Sequence, residues 1–357
     1  ERFAIRGRTG TEPLADPARA GGALVGLQIH DTPRRERARV TVTAPSDMSA
    51  FASLTTDLNP IHTSAAAARL AGLGEPIVHG MWTSAAAQQA VAAETGRRIV
   101  GWTTRFMAPV ALGAAIEIRA DRVGLTGGRE VLEVTVRADG ELVMAASALL
   151  AAPRTAYAFP GQGIQSRGMG MAGYQRCPAA REIWDRADAH TRKALGFSIL
   201  TVVRDNPTEL TIDGTCHQDP DGVLYLTQFT QVAMAVLGAA QMAELRAGGV
   251  FVDDAVLAGH SVGEYNALAA VSGVISLEAV VEVVFGGGSV VHTLVPRDEM
   301  GRSNYRLAAV RPSQIGLADD EVTDYIEALS ADSGEFLQIV NYNLRGSQYA
   351  IAGTVAG

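Results

Sequence analysis

A change of rhythm at Ala152-Pro153-Arg154 constrains this chain more than any other feature. Before it, four strand-like stretches (98–107, 114–123, 130–137 and 141–150) follow one another, with Gly-containing turns such as Thr126-Gly127-Gly128 and Asp139-Gly140 between them. Connections that short join antiparallel neighbours. They are preceded by one Ala-rich segment, 81–94, with the composition of a largely buried helix. After the break, short apolar strands alternate with helices: TAYAF at 155–159, helices at 179–193 and 228–247, AVLAG at 255–259, and a helix at 262–271. That alternation builds a parallel sheet. One sheet cannot satisfy both patterns, so the 357 residues hold at least two domains.

Residues 1–33, rich in Gly, Pro and Ala, read as a linker or extended segment. Residues 37–44 alternate like a strand, and 48–54 and 64–71 read as short helices, the first capped by Asp47. One buried helix and a meander of long strands predict an α+β hot dog, an antiparallel sheet wrapped around a helix. From 303 the pattern is strand (304–310), helix (320–331) and two strands (336–341, 347–353), a small α+β subdomain. The expected organisation is therefore a linker over 1–33, a hot dog over 34–152, an α/β core over 153–300 and part of a subdomain over 301–357.

Charge and composition exclude several functions. The net charge is -8, and all but one of the 30 basic residues are Arg. The exception, Lys193, is followed by Ala194 and Leu195, so no GxxxxGK[ST] phosphate loop is possible and Schiff-base chemistry has no motif. Residues 1–150 are nearly neutral and the acidic excess falls after them, which argues against nucleic acid and against an anionic membrane surface. No run of about 18 apolar residues is evident, so no transmembrane helix is expected. Cys177 and Cys216 stand 39 residues apart without CxxC or Cys/His patterning. Neither structural zinc nor a disulfide is expected, and a cytoplasmic location fits. The opening ERFAIRGRTG has no initiator Met and no signal pattern, and reads as cut from something longer.

Two constellations carry chemistry. In TDLNPIHT, Asp57 and His62 flank Asn59-Pro60, and Pro60 biases the chain out of helix, so the acid and the imidazole can converge on one point. Reversible hydration of an enoyl thioester needs such a pair, one group handling water at the β-carbon and the other the α-proton. An oxyanion donor must steady the enolate, and the backbone at His79-Gly80, opening the long helix, can supply an N–H. The plain alternative is a helix-capping Asp and a satisfied core His. The second constellation is Gly259-His260-Ser261-Val262-Gly263, between the strand AVLAG and a helix. That is the setting of a nucleophile elbow, in which two glycines permit a turn that exposes Ser261 and the Val262 N–H faces the site. None of the seven histidines has a supporting motif as base for Ser261, and His260 is expected to splay away from it.

The residues also resemble known families. DLNPIH with HGMW at 79–82 is similar to the MaoC-type, or R-specific hydratase, family. The resemblance implies a hot dog acting on CoA- or carrier-bound acyl chains, with Asp57 and His62 as catalytic dyad, the Gly80 N–H as oxyanion donor and His79 in a structural role. Thr56 stands where that family has Gly. AFPGQGIQSRGMG and GHSVGEYNALAA resemble malonyl/acyl transferases. This implies an α/β-hydrolase-like acyltransferase core with a ferredoxin-like subdomain, a Ser261 nucleophile, and the Gln162 and Val262 N–H groups as oxyanion donors. The family's base lies far downstream, and is expected C-terminal to Gly357. Its malonyl-specific members carry an Arg that grips the substrate carboxylate where this chain has Gly287, within Val284-Phe285-Gly286-Gly287-Gly288-Ser289.

The pairing of both domains, together with LYLTQFTQVA, VPRDEMGRSNYRLAAVRP and EFLQIVNYNLRGSQYAIAGTV, resembles type I fatty acid synthase of the actinobacterial kind. That implies dehydration of (3R)-hydroxyacyl chains on carrier-bound phosphopantetheine, loading of malonyl from malonyl-CoA onto an acyl carrier protein, and return of palmitoyl to CoA as acyl-CoA. It further implies a homo-oligomer (a hexamer), other synthase domains as partners, no metal, and NADPH and FMN only in those other domains. Two alternatives stay open: a serine thioesterase or hydrolase, and a structural segment inactive in isolation.

Overall fold

A computed structural model describes Gly22 and residues 24–357. Most of the expected linker lies outside the described residues, and its end, from His30, belongs to a strand. The chain divides into two compact units: residues up to Ala156 with Leu245–Val256, and Tyr157–Glu244 with Leu257–Gly357.

The first unit runs β1 (His30–Thr43), α1 (Ser49–Thr55), a 3-10 turn (Pro60–His62), α2 (Ala65–Leu70), α3 (Gly80–Thr95), β2 (Ile99–Phe106), β3 (Ala115–Thr126), β4 (Arg129–Ala138) and β5 (Glu141–Leu150). Its five strands form one antiparallel sheet in the order β1-β3-β4-β5-β2. The tight turns hold the meander in register. Gly127-Gly128 and Asp139-Gly140 all take positive φ, the turn form whose twist matches paired strands. Alternate residues of the sheet, Ile116, Ile118, Leu132, Val134 and Val136, face one core with Ala87 and Val91 of α3. This is the expected hot dog.

The remaining elements are β6 (Ala156–Phe159), α4 (Met171–Arg176), α5 (Pro178–Ala194), α6 (Ile199–Asp205), β7 (Glu209–Ile212), β8 (Thr215–Gln218), α7 (Thr227–Ala247), β9 (Val256–Gly259), α8 (Val262–Ala267), a π-helical turn (Leu268–Ser272) and α9 (Leu277–Leu294). They are followed by β10 (Tyr305–Val310), α10 (Val322–Ser333), β11 (Leu337–Leu344) and β12 (Gln348–Thr354). β6 and β9 run parallel: Val256 N donates to Thr155 O at 3.0 Å and His260 N to Phe159 O at 3.1 Å, advancing equally along both strands. α7 is the core helix, with Phe229, Val232, Ala233 and Val236 fully buried. β10, β12 and β11 form an antiparallel sheet on which α10 packs through Val322 and Ile326 against Tyr349.

Helix α9 bears on the expectation that no helix is long and apolar enough to cross a membrane. Its 18 residues have a mean hydropathy of 1.4, so by length and composition alone this helix could cross a membrane. Glu278, Glu282, Ser289, His292 and Thr293 interrupt its apolar residues. In the fold it is tied to α5 by an ion pair of Glu278 with Arg186 at 2.9 Å, and Glu282 Oε1 lies 2.9 Å from His190 Nε2. It also packs closely on α7, since a Cβ on Gly288 would lie 2.5 Å from the Gln228 Cα. The three glycines are therefore unequal. Gly288 is required by backbone approach, whereas a Cβ on Gly286 or Gly287 would meet nothing within 4 Å. Gly286→Ala is expected to stabilise the protein by about 1 kcal/mol through helix propensity. Gly288→Ala is expected to destabilise it. Urea denaturation of the two variants distinguishes these outcomes.

Candidate functional site

The first site forms around the 3-10 turn. Asn59 Oδ1 accepts from the Ile61 N–H at 3.3 Å and Asp57 Oδ1 from the Asn59 N–H at 3.3 Å, so the DLNP segment is wound by its own side chains. Pro60 then starts the turn that ends at His62. Just upstream, Thr56 closes α1 at φ 59°, ψ 14°, a left-handed conformation that glycine adopts without strain. The loop thus keeps the shape a Gly would give, at the cost of placing a β-branched residue there.

Donor atoms of Asp57, His62 and His79 lie within 4.8 Å of one another. His62 is buried, and its Nδ1 donates to the Ile77 carbonyl at 2.8 Å, which leaves the lone pair on Nε2. Burial pushes the His62 pKa below the ordinary imidazole value and His79 acts in the same direction, against the Ile77 carbonyl and Asp57. His62 is therefore neutral and able to accept a proton at neutral pH. His79, 2% exposed, stacks on the His62 ring (centroids 3.7 Å apart, 24° between planes) and donates from Nε2 to the Asp57 backbone carbonyl at 3.1 Å. These contacts link the Asp57 backbone to the His62 ring. With Nε2 protonated for that bond, His79 offers no lone pair on the Asp57 side, so the three groups make a poor metal cluster. Asp57 itself is half exposed.

A cleft of about 450 Å³ opens beside His62, lined also by Gly80, Thr83, Phe106, Met107 and Val143. Gly80 is the first residue of α3, so its N–H has no partner within the helix and is free for a developing oxyanion. Phe106 packs so near that a Cβ on Gly80 would lie 3.1 Å from its ring. This aromatic wall, from the end of β2, was not legible in the sequence, because nothing local links Phe106 to a motif 26 residues earlier.

The second site is the turn between β9 and α8. Ser261 sits at φ 55°, ψ -124°, a strained conformation for a residue with a side chain. The flanking glycines permit it. A Cβ on Gly259 would collide with the Gly263 carbonyl carbon and the Glu264 nitrogen, and one on Gly263 with the Phe159 carbonyl oxygen. Val262 is the first residue of α8, so its N–H is also unpaired within the helix. The loop carrying Gln162 leaves β6 at the same end of the sheet, since β6 and β9 are parallel. A Cβ on Gly161 would lie 3.4 Å from the Ser261 Cβ. Gln162 Oε1 accepts from Gln231 Nε2 at 3.2 Å, which ties this loop to α7. Ser261 opens into a pocket of about 400 Å³ lined by Gln231, Val262, Glu264, Tyr265, Val284 and Gly287, among others.

Among the described residues no histidine lines this pocket. His260 is turned to β11, where its Nε2 donates to Asn343 Oδ1 at 2.8 Å. His292 lines a separate groove of about 980 Å³ with Gln162 and Arg297. Burial, with Arg297 and His217 adding to it, lowers the His292 pKa to about 4. Ser261 thus presents a strained, exposed hydroxyl at the start of α8, next to the Val262 N–H.

Comparison with known proteins matches residues 156–355 to the acyl transferase domain family and residues 27–142 to the MaoC-like domain family. Fatty acid synthase beta subunit TOXC of Cochliobolus carbonum is 35% identical over 365 residues, which cover 88% of this chain and 18% of that protein. The fatty acid synthase subunit beta of Saccharomyces cerevisiae is 35% identical over 356 residues, 87% of this chain and 17% of that one. The chain thus spans about a fifth of the length of these relatives. Among solved structures, FabD from Acinetobacter baumannii is 29% identical, with a TM-score of 0.44 over 58% of this chain and 56% of that one.

Because the His62 pKa is lowered in the folded state, the unfolded chain binds that proton more readily. The stability His62 contributes is lost as pH falls below the ordinary imidazole value of about 6.5. The His62 ring is accordingly expected to titrate below that value in NMR spectra of the folded protein, and a midpoint at or above it would contradict this reading.

Proposed function

The chain belongs to the acyl transferase domain family, and on that premise we propose that Ser261 is the nucleophile of a transfer of acyl groups between thioesters. The observation that carries this is the conformation of Ser261, held at φ 55° by two glycines that tolerate no Cβ. Ser261 Oγ attacks the thioester carbonyl, with the oxyanion between the Gln162 and Val262 N–H groups. The C–S bond breaks, and the Oγ proton ends on the departing thiol. A second thiol then reverses these steps and frees the serine. By resemblance the acyl groups are malonyl, passing from CoA to an acyl carrier protein, and palmitoyl, passing from the carrier to CoA. The base that relays the proton is assigned to none of the described histidines.

We further propose that the MaoC-like unit dehydrates (3R)-hydroxyacyl thioesters to trans-2-enoyl thioesters. The α-hydrogen and the β-hydroxyl leave as water across Asp57 and the neutral His62, while the Gly80 N–H holds the enolate oxygen. The His62 tautomer fixed by Ile77 supports this reading. The two activities would belong to one multifunctional fatty acid synthase, with the hot dog over 34–152, the transferase core over 153–300 and its partial subdomain over 301–357. The actinobacterial type, the hexameric assembly and the reductase cofactors NADPH and FMN in other domains rest on sequence resemblance alone, and the named relatives are fungal. Unpaired Cys177 and Cys216 support a cytoplasmic setting.

Ser261→Ala is expected to abolish the acyl-enzyme seen by intact-mass spectrometry after incubation with an acyl-CoA. Acyl groups should move to added carrier protein, and release of free acid regardless of carrier would favour the serine hydrolase reading instead. Independently, Asp57→Asn should reduce crotonyl-thioester hydration by at least a hundredfold. An unchanged rate would remove Asp57 from its role.

A further inference from the structure

His260 precedes Ser261, yet its ring does not line the Ser261 pocket and is engaged with the small subdomain instead. Its Nε2 donates to Asn343 Oδ1 at 2.8 Å, and the Asn341 amide lies 3.2 Å from the same nitrogen. The two asparagines stand two positions apart on β11, so strand alternation favours one face for both. The strand is also irregular there. Its pairing with β12 shifts register between Ile339 and Asn341, and again between Asn341 and Leu344. Irregularities of that kind re-aim side chains and are over-represented next to active sites. Through Nδ1 the same ring meets the loop after β6. A Cβ on Gly161 would lie 3.0 Å from His260 Nδ1 and 3.1 Å from the His260 carbonyl oxygen, so the Gly161 backbone rests on this residue. His260 is thus held between β11 and the loop that carries Gln162.

A backbone N–H stabilises an oxyanion only where it is aimed at the place the oxygen will reach, and a shift of about 1 Å can cost a hundredfold in rate. The Gln162 N–H sits on a loop with little rigidity of its own. Gly161 and Gly163 flank it, and Gly163 takes φ 119°, a conformation closed to other residues. Its orientation therefore depends on what the loop rests against. One support is Gln231 on α7, through the Gln162 side chain. The other is the His260 ring, and what fixes that ring is Asn343. On the reading that Ser261 is the acyl-accepting nucleophile, we propose that Asn343 is a positioning residue: by holding the His260 ring against Gly161, it sets the direction of the Gln162 oxyanion donor. The small subdomain then governs one half of the oxyanion site, although none of residues 301–357 lines the Ser261 pocket.

The test uses two variants of the full chain. Asn343→Leu keeps the side-chain size and removes the acceptor, whereas Asn343→Asp keeps an acceptor oxygen for His260. Formation of the Ser261 ester from octanoyl-CoA is followed by intact-mass spectrometry, and thioester binding by calorimetry on the Ser261→Ala background. Asn343→Leu should slow the maximal acylation rate by about tenfold or more while changing binding by less than about twofold, the mark of an interaction made only in the transition state. Asn343→Asp should restore most of the rate. An unchanged rate in Asn343→Leu, an equal loss of binding, or no recovery in Asn343→Asp would overturn the proposal while leaving the nucleophile intact. If the unaltered protein forms no Ser261 ester, the transfer reading fails, and hydrogen exchange decides the positioning role. Faster exchange of the Gln162 amide in Asn343→Leu supports it, and unchanged exchange overturns it.

Discussion

The second unit is organised around one steric fact: three backbone segments meet at Ser261 with no room for a Cβ between them. Gly259 and Gly263 each sit where a side chain would strike the neighbouring strand or turn, and a Cβ on Gly161 would press on His260 at 3.0 Å. Their absence of side chains lets β9 turn sharply into α8 while β6 lies alongside. The serine is left at a positive φ that its own backbone disfavours, and the surrounding packing holds it there. Strain of this kind costs of order 1–3 kcal/mol and persists where the fold over-determines it. Here the parallel pairing with β6 and the burial of Val262 and Asn266 provide that determination.

The hot-dog unit reaches the same end by a different route. Asp57 and His62 lie on a short turn whose shape comes from Asn59, Pro60 and the left-handed Thr56. The turn is fixed to the body of the unit by a stacked histidine and two carbonyl bonds. Each histidine donates one ring proton to a backbone oxygen, so both tautomers are set by the fold. In one unit backbone strain exposes a hydroxyl, and in the other hydrogen bonds prepare an imidazole.

Much of this was legible in the residues. The meander from 98 to 150, the Asp57–His62 pair and the elbow all carry local signals: alternation, turn chemistry and paired glycines. What escaped was either short or non-local. Helices α4 and α6 and the β7–β8 hairpin have four to seven residues each, too few for a period to show. The role of His79 depends on a ring stacked against it from 17 positions earlier in the chain, and Phe106 reaches Gly80 from another strand. The run Gly286-Gly287-Gly288 reads as one anomaly in sequence. In space it is three different positions, one pressed on Gln228, one facing the Ser261 pocket, and one open.

The parallel pairing of β6 with β9 also bears on the order of folding. Roughly a hundred residues separate the two strands, and closing a loop of that length costs about 4 kcal/mol of chain entropy. The four hydrogen-bonding residues of each strand cannot offset that alone. The helices between them, above all the buried α7, must be in place first. The Ser261 turn and the loop after β6 therefore come together late, after a hydrophobic scaffold has formed. A chain caught before that step would hold most of its helical structure and lack the strained Ser261 turn.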